Sequence, residues 1–262
     1  MAPRDTISTA IQAAVTRGRP ALVGFLTAGF PTRRQFKDNL AAVAGACDVV
    51  EIGVPFSDPM ADGATIQRAS FAALAEGVTL PWILEELKSI QPALATPILL
   101  MSYLNPLLSF GLDVLPPAAA AAGVAGFIVP DLPFEESADL KRALDVQGLA
   151  LVQMVTPVTP APRLAMLCRE AKGFVYAVTM TGTTGKSNNG VAAEVSSEVL
   201  EYMDRVKRCS AVPVCAGFGI RSQEQVARFA GHVDGVVVGS ALVETLERGE
   251  DVRAFLGSLR LP

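Results

Sequence analysis

Three acidic side chains lie in one short stretch of the chain, "VVEIGVPFSDPMADG" at residues 49–63. Glu51 stands inside an apolar run of the kind that forms a buried β-strand, whereas Asp58 and Asp62 follow in a segment that is broken by proline and glycine. Carboxylates are rarely buried, and an apolar environment raises the carboxyl pKa toward values that suit proton transfer near neutral pH. The stretch therefore predicts acid/base chemistry at the end of a strand.

Eight short apolar runs, each followed by a longer polar or alanine-rich segment, recur along the 262 residues. Near-continuous hydrophobicity is typical of parallel strands that are covered on both faces, and helical patterns lie between the runs. Eight such units predict one α/β domain over residues 1–262, a single (β/α)₈ TIM barrel. An extra helix over 6–17, with Thr6 as its N-cap, is expected to close the bottom of the barrel. The other predicted helices span 33–46, 64–76, 136–147 and 221–230.

An open doubly wound sheet is the alternative fold. Such sheets usually carry a G-x-G-x-x-G turn after an early strand, and "TAGFPT" at residues 27–32 does not match this pattern. The barrel is therefore favoured.

The two-residue period of a strand orients Glu51. It shares a side with Val49 and is expected to face the barrel mouth, while Val50 and Ile52 face the helices. Barrel active sites lie where the strands end, which is where this acid stands. A buried acid paired with lysine or backbone donors is the alternative for Glu51, and an ordinary turn aspartate before glycine is the alternative for Asp62.

A second signal comes from glycines at the ends of the seventh and eighth runs, "AGFGI" at 216–220 and "VVGSAL" at 237–242. Barrels often bind phosphate here through backbone N–H groups and a helix N-terminus, because glycine lets the backbone approach an anion closely. Ser240 can add a hydroxyl and cap the next helix, and Thr184 and Gly185 can close from the sixth loop. The eight runs contain no lysine, which argues against a Schiff-base aldolase. Acid/base carbon–carbon cleavage or isomerisation of a small phosphorylated substrate remains.

The composition argues against several other classes. The net charge of −4 and the absence of any Lys/Arg run argue against a nucleic-acid surface. The four cysteines form no C-x-x-C pair and the only histidine, His232, stands alone, so the spacing of metal ligands is missing. The chain begins without an apolar signal-peptide core, and no run reaches the ~18 apolar residues of a membrane span. We therefore expect a cytoplasmic protein with a small-molecule partner.

The stretch "EIGVPFSDPMADGATIQRA" resembles the signature of the tryptophan synthase alpha subunit family. The agreement continues in order through "FLTAGFP", "MSYLNP", "VPDLPFEES", "TGTTG", "GFGI" and "VVGSA", over essentially the whole chain. The resemblance implies a barrel that cleaves indole-3-glycerol phosphate into indole and glyceraldehyde 3-phosphate in L-tryptophan biosynthesis. It implies that Glu51 is the general acid/base and that Asp62 assists at the indole nitrogen.

The resemblance also implies the remaining substrate contacts. The positions that fall where the family lines its indole pocket are Phe25, Tyr103, Tyr176 and Phe218. The positions that fall in its phosphate site are Gly185, Gly219, Gly239 and Ser240. Three residues depart from the family pattern or vary in size within it: Met180, which stands where some members have arginine, Val129 and Met154.

Finally, the resemblance implies an alpha2-beta2 assembly in which a beta subunit receives the indole and carries pyridoxal phosphate. No cofactor and no metal is then expected in this chain. Asp58 lies on the loop that by resemblance faces the beta subunit, and a turn-capping aspartate is the alternative. Two other functions stay open: a free-standing lyase that releases indole, and a catalytically silent barrel that only activates a beta-type partner.

Overall fold

The computed structural model describes residues 1–90, 94–179, 195–217 and 219–261, and its strands form one parallel sheet. The strands are β1 (Ala21–Thr27), β2 (Val49–Gly53), β3 (Ile98–Met101), β4 (Val124–Ile128), β5 (Ala150–Leu151), β6 (Gln153–Val155), β7 (Val175–Val178), β8 (Val214–Gly217) and β9 (Gly235–Val238). Each of the eight predicted runs contributes to this sheet.

The sheet closes on itself in the fifth run. The strand order is β5-β4-β3-β2-β1-β9-β8-β7-β6, so the two ends of the sheet are consecutive in the chain and are separated only by Val152. The N–H of Val152 donates to the carbonyl of Phe127 on β4 at 2.9 Å, and β6 continues the pairing with β7. The predicted (β/α)₈ barrel is confirmed, and the open doubly wound sheet is wrong.

Helices follow the strands around the barrel. In the described residues they are α1 (Pro3–Thr16), α2 (Phe36–Ala46), α3 (Ala64–Ala75), α4 (Leu80–Lys88), α5 (Leu104–Phe110), α6 (Leu115–Ala121), α7 (Ala138–Val146), α8 (Ala161–Glu170), α9 (Ser197–Cys209), α10 (Gln223–Phe229), α11 (Ser240–Glu247) and α12 (Val252–Ser258). None of these helices combines the length and the hydropathy that a membrane span requires.

The start of α1 differs from the prediction. Ala2 is the N-cap residue and Pro3 opens the first turn, where its missing N–H costs nothing and its fixed φ suits the helix. The carboxylate of Asp5 accepts a hydrogen bond from the N–H of Ala2 at 3.2 Å. Thr6 lies inside the helix, and its hydroxyl donates to the carbonyl of Pro3 at 2.6 Å. The N-cap prediction for Thr6 is therefore wrong.

Other helix boundaries differ by smaller amounts. The predicted helix over 33–46 begins as a 3₁₀ turn, Arg33–Gln35, before α2 takes over. A second 3₁₀ turn, Phe134–Glu136, occupies the loop before α7. The remaining predicted helices agree to within two residues at each end, where helices fray.

Strand side chains alternate between an inner and an outer apolar cluster. Val50 and Ile52 belong to the outer cluster, between strands and helices, as their spacing predicts. The inner cluster combines inward strand residues with one face of α1: Val23, Val49, Leu99, Val152, Cys215, Ile7, Ile11 and Ala14. The N–H of Arg4 also donates to the carbonyl of Gly148, just before β5. The N-terminal helix therefore closes the bottom of the barrel, as predicted.

Arg19 and Asp48 form a largely buried ion pair at this same end. The guanidinium donates two hydrogen bonds to the carboxylate, at 2.7 and 2.8 Å, and the N–H of Leu22 adds a third at 2.9 Å. Burial raises the pKa of Asp48, but the bonds from Arg19 and Leu22 outweigh it and hold that pKa below its usual value. The pair joins the beginnings of β1 and β2.

We expect Asp48→Asn to lower the free energy of unfolding by about 3–5 kcal/mol at pH 7, because the buried guanidinium of Arg19 loses its counter-charge. Urea unfolding would measure this loss. The ionised Asp48 stabilises the fold above the ordinary aspartate pKa, and this stabilisation is lost as the pH falls through the lowered pKa of the folded state. The difference in the free energy of unfolding between Asp48→Asn and the parent should therefore become smaller in acid.

The matched control is Glu250→Gln, which breaks an exposed arginine–carboxylate pair with Arg248. The free energy of unfolding of this variant should stay close to that of the parent, because exposed ion pairs contribute little to stability. Equal destabilisation by both substitutions would contradict a special role for the buried pair.

Candidate active site

Glu51 lies on β2 with its side chain inside the barrel. It is paired with Phe25 on β1 and Leu99 on β3, and it has no solvent-accessible surface. Neither carboxylate oxygen has a hydrogen-bond partner among the described residues. Burial raises the pKa of Glu51 to about 8. Within the described ranges Glu51 therefore has neither the lysine nor the backbone donors of the alternative interpretation, and the group is largely protonated at neutral pH.

Asp62 lies in the loop after β2, nearly buried. Its Oδ2 accepts a hydrogen bond from the hydroxyl of Tyr103 at 3.2 Å, and that hydroxyl accepts one from the N–H of Ala61 at 2.8 Å. Burial raises the pKa of Asp62 to about 6, against the bond from Tyr103, which lowers it. Asp62 is therefore largely ionised at neutral pH, in contrast to Glu51.

Tyr176 on β7 connects the two acids electrostatically. It is buried, and its pKa is raised well above the usual value, first by burial and then by the charges of Glu51, Cys215 and Asp62. Both carboxyl groups therefore act on one phenol. A protonated acid and an ionised one lie at the same end of the barrel.

Two aromatic rings at this end occupy space that glycines leave open on the neighbouring strand. A Cβ atom built on Gly53 would lie 2.5 Å from Cζ of Phe25, and one built on Gly217 would lie 2.5 Å from both Cζ and Oη of Tyr176. Phe25 pairs with Glu51 and Tyr176 pairs with Cys215, and in each case the glycine follows that partner by two residues. The sequence analysis missed these two glycines. The signal that could have found them is a glycine diagonal to an inward aromatic residue.

Two of the glycines predicted to bind phosphate, Gly219 and Gly239, follow the ends of β8 and β9, which are neighbours in the sheet. Gly219 adopts φ +86°, a left-handed conformation that favours glycine, and a Cβ there would meet no atom of the described residues within 4 Å. A Cβ on Gly239 would have its nearest neighbours at 4.0 Å. No side chain in the described part of the chain therefore covers the backbone at either glycine.

Ser240 does not cap the following helix as predicted. Gly239 is the N-cap of α11, and its carbonyl accepts from the N–H groups of Leu242 and Val243. Ser240 is the first residue of the helix, one position too late for its hydroxyl to take the capping role. It stays at the helix N-terminus, where backbone N–H groups lack intrahelical partners.

The loop after β8 is held by a network that the sequence analysis missed. The guanidinium of Arg221 donates two bonds to Glu244 on α11, at 2.8 and 2.9 Å, and Thr65 on α3 donates to the same carboxylate at 3.1 Å. The N–H of Arg221 donates to the side chain of Gln225. These bonds connect the loop that carries Gly219 to three helices, α3, α10 and α11.

Asp58 is exposed on the loop after β2, as its position before Pro59 predicts. Its carboxylate accepts a hydrogen bond from the hydroxyl of Ser57 at 2.5 Å, and no backbone N–H in the described part of the chain donates to it. Asp58 therefore does not cap a turn through its side chain in the described part of the chain.

Several predicted positions lie elsewhere or outside the description. Thr184, Gly185, Phe218 and Met180 lie outside the described residues. Met154 packs beside the inner cluster, whereas Val129 belongs to the outer one and faces the helices. Within residues 1–90, 94–179, 195–217 and 219–261, no group of three or more His, Cys, Asp and Glu side chains is placed to hold a metal ion.

Comparison with known proteins gives one consistent result. The family model of the tryptophan synthase alpha chain matches residues 11–256. The alpha chain of Solidesulfovibrio magneticus is 44% identical over 258 residues, covering 98% of this chain and 99% of that protein. The alpha chain of Geobacter sulfurreducens is 45% identical over 250 residues, covering 92% of each.

Solved structures agree with the sequences. A chain of the Mycobacterium tuberculosis tryptophan synthase structure superposes with a TM-score of 0.87 at 35% identity, covering 97% of this chain and 96% of that one. The tryptophan synthase subunit alpha of Legionella pneumophila superposes with a TM-score of 0.85 at 31% identity, covering 97% and 96% of the two chains. This chain therefore belongs to the tryptophan synthase alpha chain family.

Proposed function

We propose that this chain is a carbon–carbon lyase of L-tryptophan biosynthesis that cleaves indole-3-glycerol phosphate into indole and glyceraldehyde 3-phosphate. The observation that carries the proposal is the carboxyl group of Glu51, which is buried inside the barrel, has no hydrogen-bond partner in the described part of the chain, and has a pKa of about 8. A buried group that stays protonated at neutral pH is suited to general acid catalysis.

Glu51 donates its proton to C3 of the indole ring. Protonation there breaks the aromaticity of the five-membered ring and makes it an acceptor for the electron pair of the bond to the glycerol chain. The carboxylate left on Glu51 takes the proton of the adjacent glycerol hydroxyl, the carbon–carbon bond breaks as in a retro-aldol reaction, and the acid is restored. Proton and electron pair are thus both accounted for.

Asp62 accepts a hydrogen bond from the indole N–H and stabilises the positive charge that develops on the ring nitrogen. This role needs an ionised carboxylate, and its pKa of about 6 provides one at neutral pH. A preorganised charge of this kind, held nearly buried, is effective because it need not reorient during the reaction.

The same end of the barrel supplies the other substrate contacts. We assign the walls of the indole pocket to Phe25, Tyr103 and Tyr176, together with Phe218 by resemblance. Backbone N–H groups at Gly219, Gly239 and Ser240 bind the phosphate, supported by the open space at both glycines and by the first turn of α11. Gly185 is assigned to the same site by resemblance, and Thr184 is assigned to it as its neighbour in the sixth loop.

The partner is a beta subunit in an alpha2-beta2 assembly, and pyridoxal phosphate is bound by that partner rather than by this chain. The family name of the relatives, alpha chain, supports a partner. Residues 1–262 form one domain in the cytoplasm. The packing of α1 beneath the barrel and of α12 against α2 supports a single domain.

The pH dependence of kcat/KM for indole release tests the proposal. Activity should need Asp62 ionised and Glu51 protonated, so we expect a bell with limbs near pH 6 and pH 8. The substrate phosphate also titrates at about pH 6, so Asp62→Asn is needed to assign the acid limb.

Glu51→Gln should lower the rate of indole release by ~10²–10⁴-fold, because an amide cannot shuttle a proton. Near-parental activity of Glu51→Gln would remove Glu51 from the mechanism.

The stability of Glu51→Gln should depend on pH in a characteristic way. The unfolded state ionises Glu51 above the ordinary glutamate pKa of 4.5, whereas the folded state keeps it protonated up to about 8, so the parent loses stability as the pH rises between these values. The advantage of Glu51→Gln should therefore grow across this window by an amount on the order of a few kcal/mol. For Asp62→Asn, the corresponding window should end near pH 6. A difference that is constant with pH would show that burial does not shift the pKa of Glu51.

Asp58→Asn should spare the partner-free lyase rate and reduce activation by a beta subunit, because the exposed loop after β2 meets the partner and also carries Asp62. Indole formation would be measured with and without saturating beta subunit, with Asp139→Asn on α7 as an exposed control. Equal fold-activation in variant and parent would remove Asp58 from the coupling. A beta subunit that changes nothing in the parent would favour a free-standing lyase.

A further inference from the structure

The first turn of α5 takes its cap from a different loop. Tyr103 is the N-cap residue of α5, but its side chain makes no capping bond, and its hydroxyl is bonded to Ala61 and Asp62 instead. Helices prefer Ser, Thr, Asp or Asn at this position. Asp131, three residues after β4, supplies what Tyr103 cannot: its Oδ1 accepts a hydrogen bond from the N–H of Leu104 at 2.9 Å.

This bond matters because α5 is short. A helix of seven residues has little stability of its own and depends on its caps and its packing. One further bond connects the same two loops, because the N–H of Ser102 donates to the carbonyl of Ile128 at 3.0 Å. Within the loop after β3, the hydroxyl of Ser102 donates to the carbonyl of Tyr103 at 2.9 Å. The end of β3 and the start of α5 are thus positioned by residues at the end of β4.

Tyr103 connects the start of α5 to the loop after β2. Its ring stacks on Phe56 with centroids 5.1 Å apart, and its hydroxyl bridges the backbone of Ala61 and the carboxylate of Asp62. A shift of the first turn of α5 would move the phenol, which would weaken both bonds. Hydrogen bonds are sensitive to a displacement of a few tenths of an ångström.

We infer that Asp131 is a positioning residue for Asp62, acting through the N–H of Leu104 and the side chain of Tyr103. The inference rests on the proposed function, in which Asp62 acts at the indole nitrogen. Asp131 is exposed on its loop and needs no contact with substrate. The 3₁₀ turn that follows is tied to α8 by two hydrogen bonds between Arg163 and Glu135, so the loop has a second anchor.

The charge of Asp131 offers a competing route, because it also acts on the phenol of Tyr103. Asn in place of Asp removes the charge but keeps an oxygen that can cap Leu104, and Asn is as good an N-cap as Asp. Ala removes both. The pair Asp131→Ala and Asp131→Asn therefore separates capping from charge.

A matched control is available at another helix. Asp251 caps α12 by accepting from the N–H groups of Arg253 and Ala254, at 2.8 and 3.1 Å, and α12 packs against α2 and α11. Asp251→Ala also removes a carboxylate that accepts from first-turn N–H groups, but in a helix other than α5. It reports what the loss of a helix cap does to the chain in general.

The first readout is steady-state cleavage of indole-3-glycerol phosphate across pH. Asp131→Ala should lower kcat by roughly tenfold to a hundredfold with a smaller change in KM, since misplacing a catalytic group by about 1 Å has effects of this size. The acid limb should move to higher pH, because the bond from Tyr103 lowers the pKa of Asp62. In the described residues, Asp62 interacts electrostatically with two titratable side chains, Tyr103 and Tyr176. Glu51 in turn interacts with Tyr176, so these are the groups that bear on the pKa of Asp62. Asp131→Asn and Asp251→Ala should keep the parental kcat and acid limb.

The second readout does not depend on catalysis. Hydrogen exchange of the Ala61 and Leu104 amides should become faster in Asp131→Ala and stay at the parental rate in Asp251→Ala. Unchanged exchange at Ala61, or a kcat loss as large in Asp131→Asn as in Asp131→Ala, would overturn the inference. A parent that cleaves no indole-3-glycerol phosphate would refute the proposed function, while exchange at Ala61 would still decide whether Asp131 holds this loop.

Discussion

The carboxyl group of Glu51, enclosed in the barrel with no hydrogen-bond partner among the residues that the structure describes, is the constraint on which the rest of the site depends. A charge in that position would be costly, so the group remains protonated up to a pKa of about 8. Its neighbours on β1 and β3 are Phe25 and Leu99, which contribute no polar atom from their side chains. The apolar interior that stabilises a barrel therefore also makes this acid suitable for proton transfer.

The two acids differ because their surroundings differ. Asp62 belongs to a loop and is bonded by the phenol of Tyr103, so its carboxylate keeps a pKa near 6, whereas Glu51 belongs to a strand and has no such bond within the described ranges. Two carboxyl groups with separated pKa values can serve as acid and as fixed charge at the same pH. Tyr103 thus has a second task beside the proposed lining of the indole pocket: it positions the acid proposed to act at the indole nitrogen.

The bottom of the barrel contributes to stability, whereas the top carries the candidate active site. At the bottom, α1 covers the interior and the pair of Arg19 and Asp48 joins the first two strands, in bonds that contribute to stability. At the top, Gly53 and Gly217 lack side chains, so two aromatic rings can lie against the backbone.

The sequence by itself determined the eight strands and the inward orientation of Glu51, because apolar runs and a period of two are local properties of the chain. It also carried the long motif around Asp62 that identifies the family. Helix starts were less predictable: the pattern placed a cap at Thr6 and another at Ser240, and both were wrong because capping depends on which backbone groups a side chain can reach. Only the tertiary structure decided that Tyr103 bonds Asp62 across 41 residues, and that no described residue bonds Glu51. Burial and hydrogen bonding are made by residues distant in the chain, so the pKa values that the chemistry needs exist only in the folded barrel.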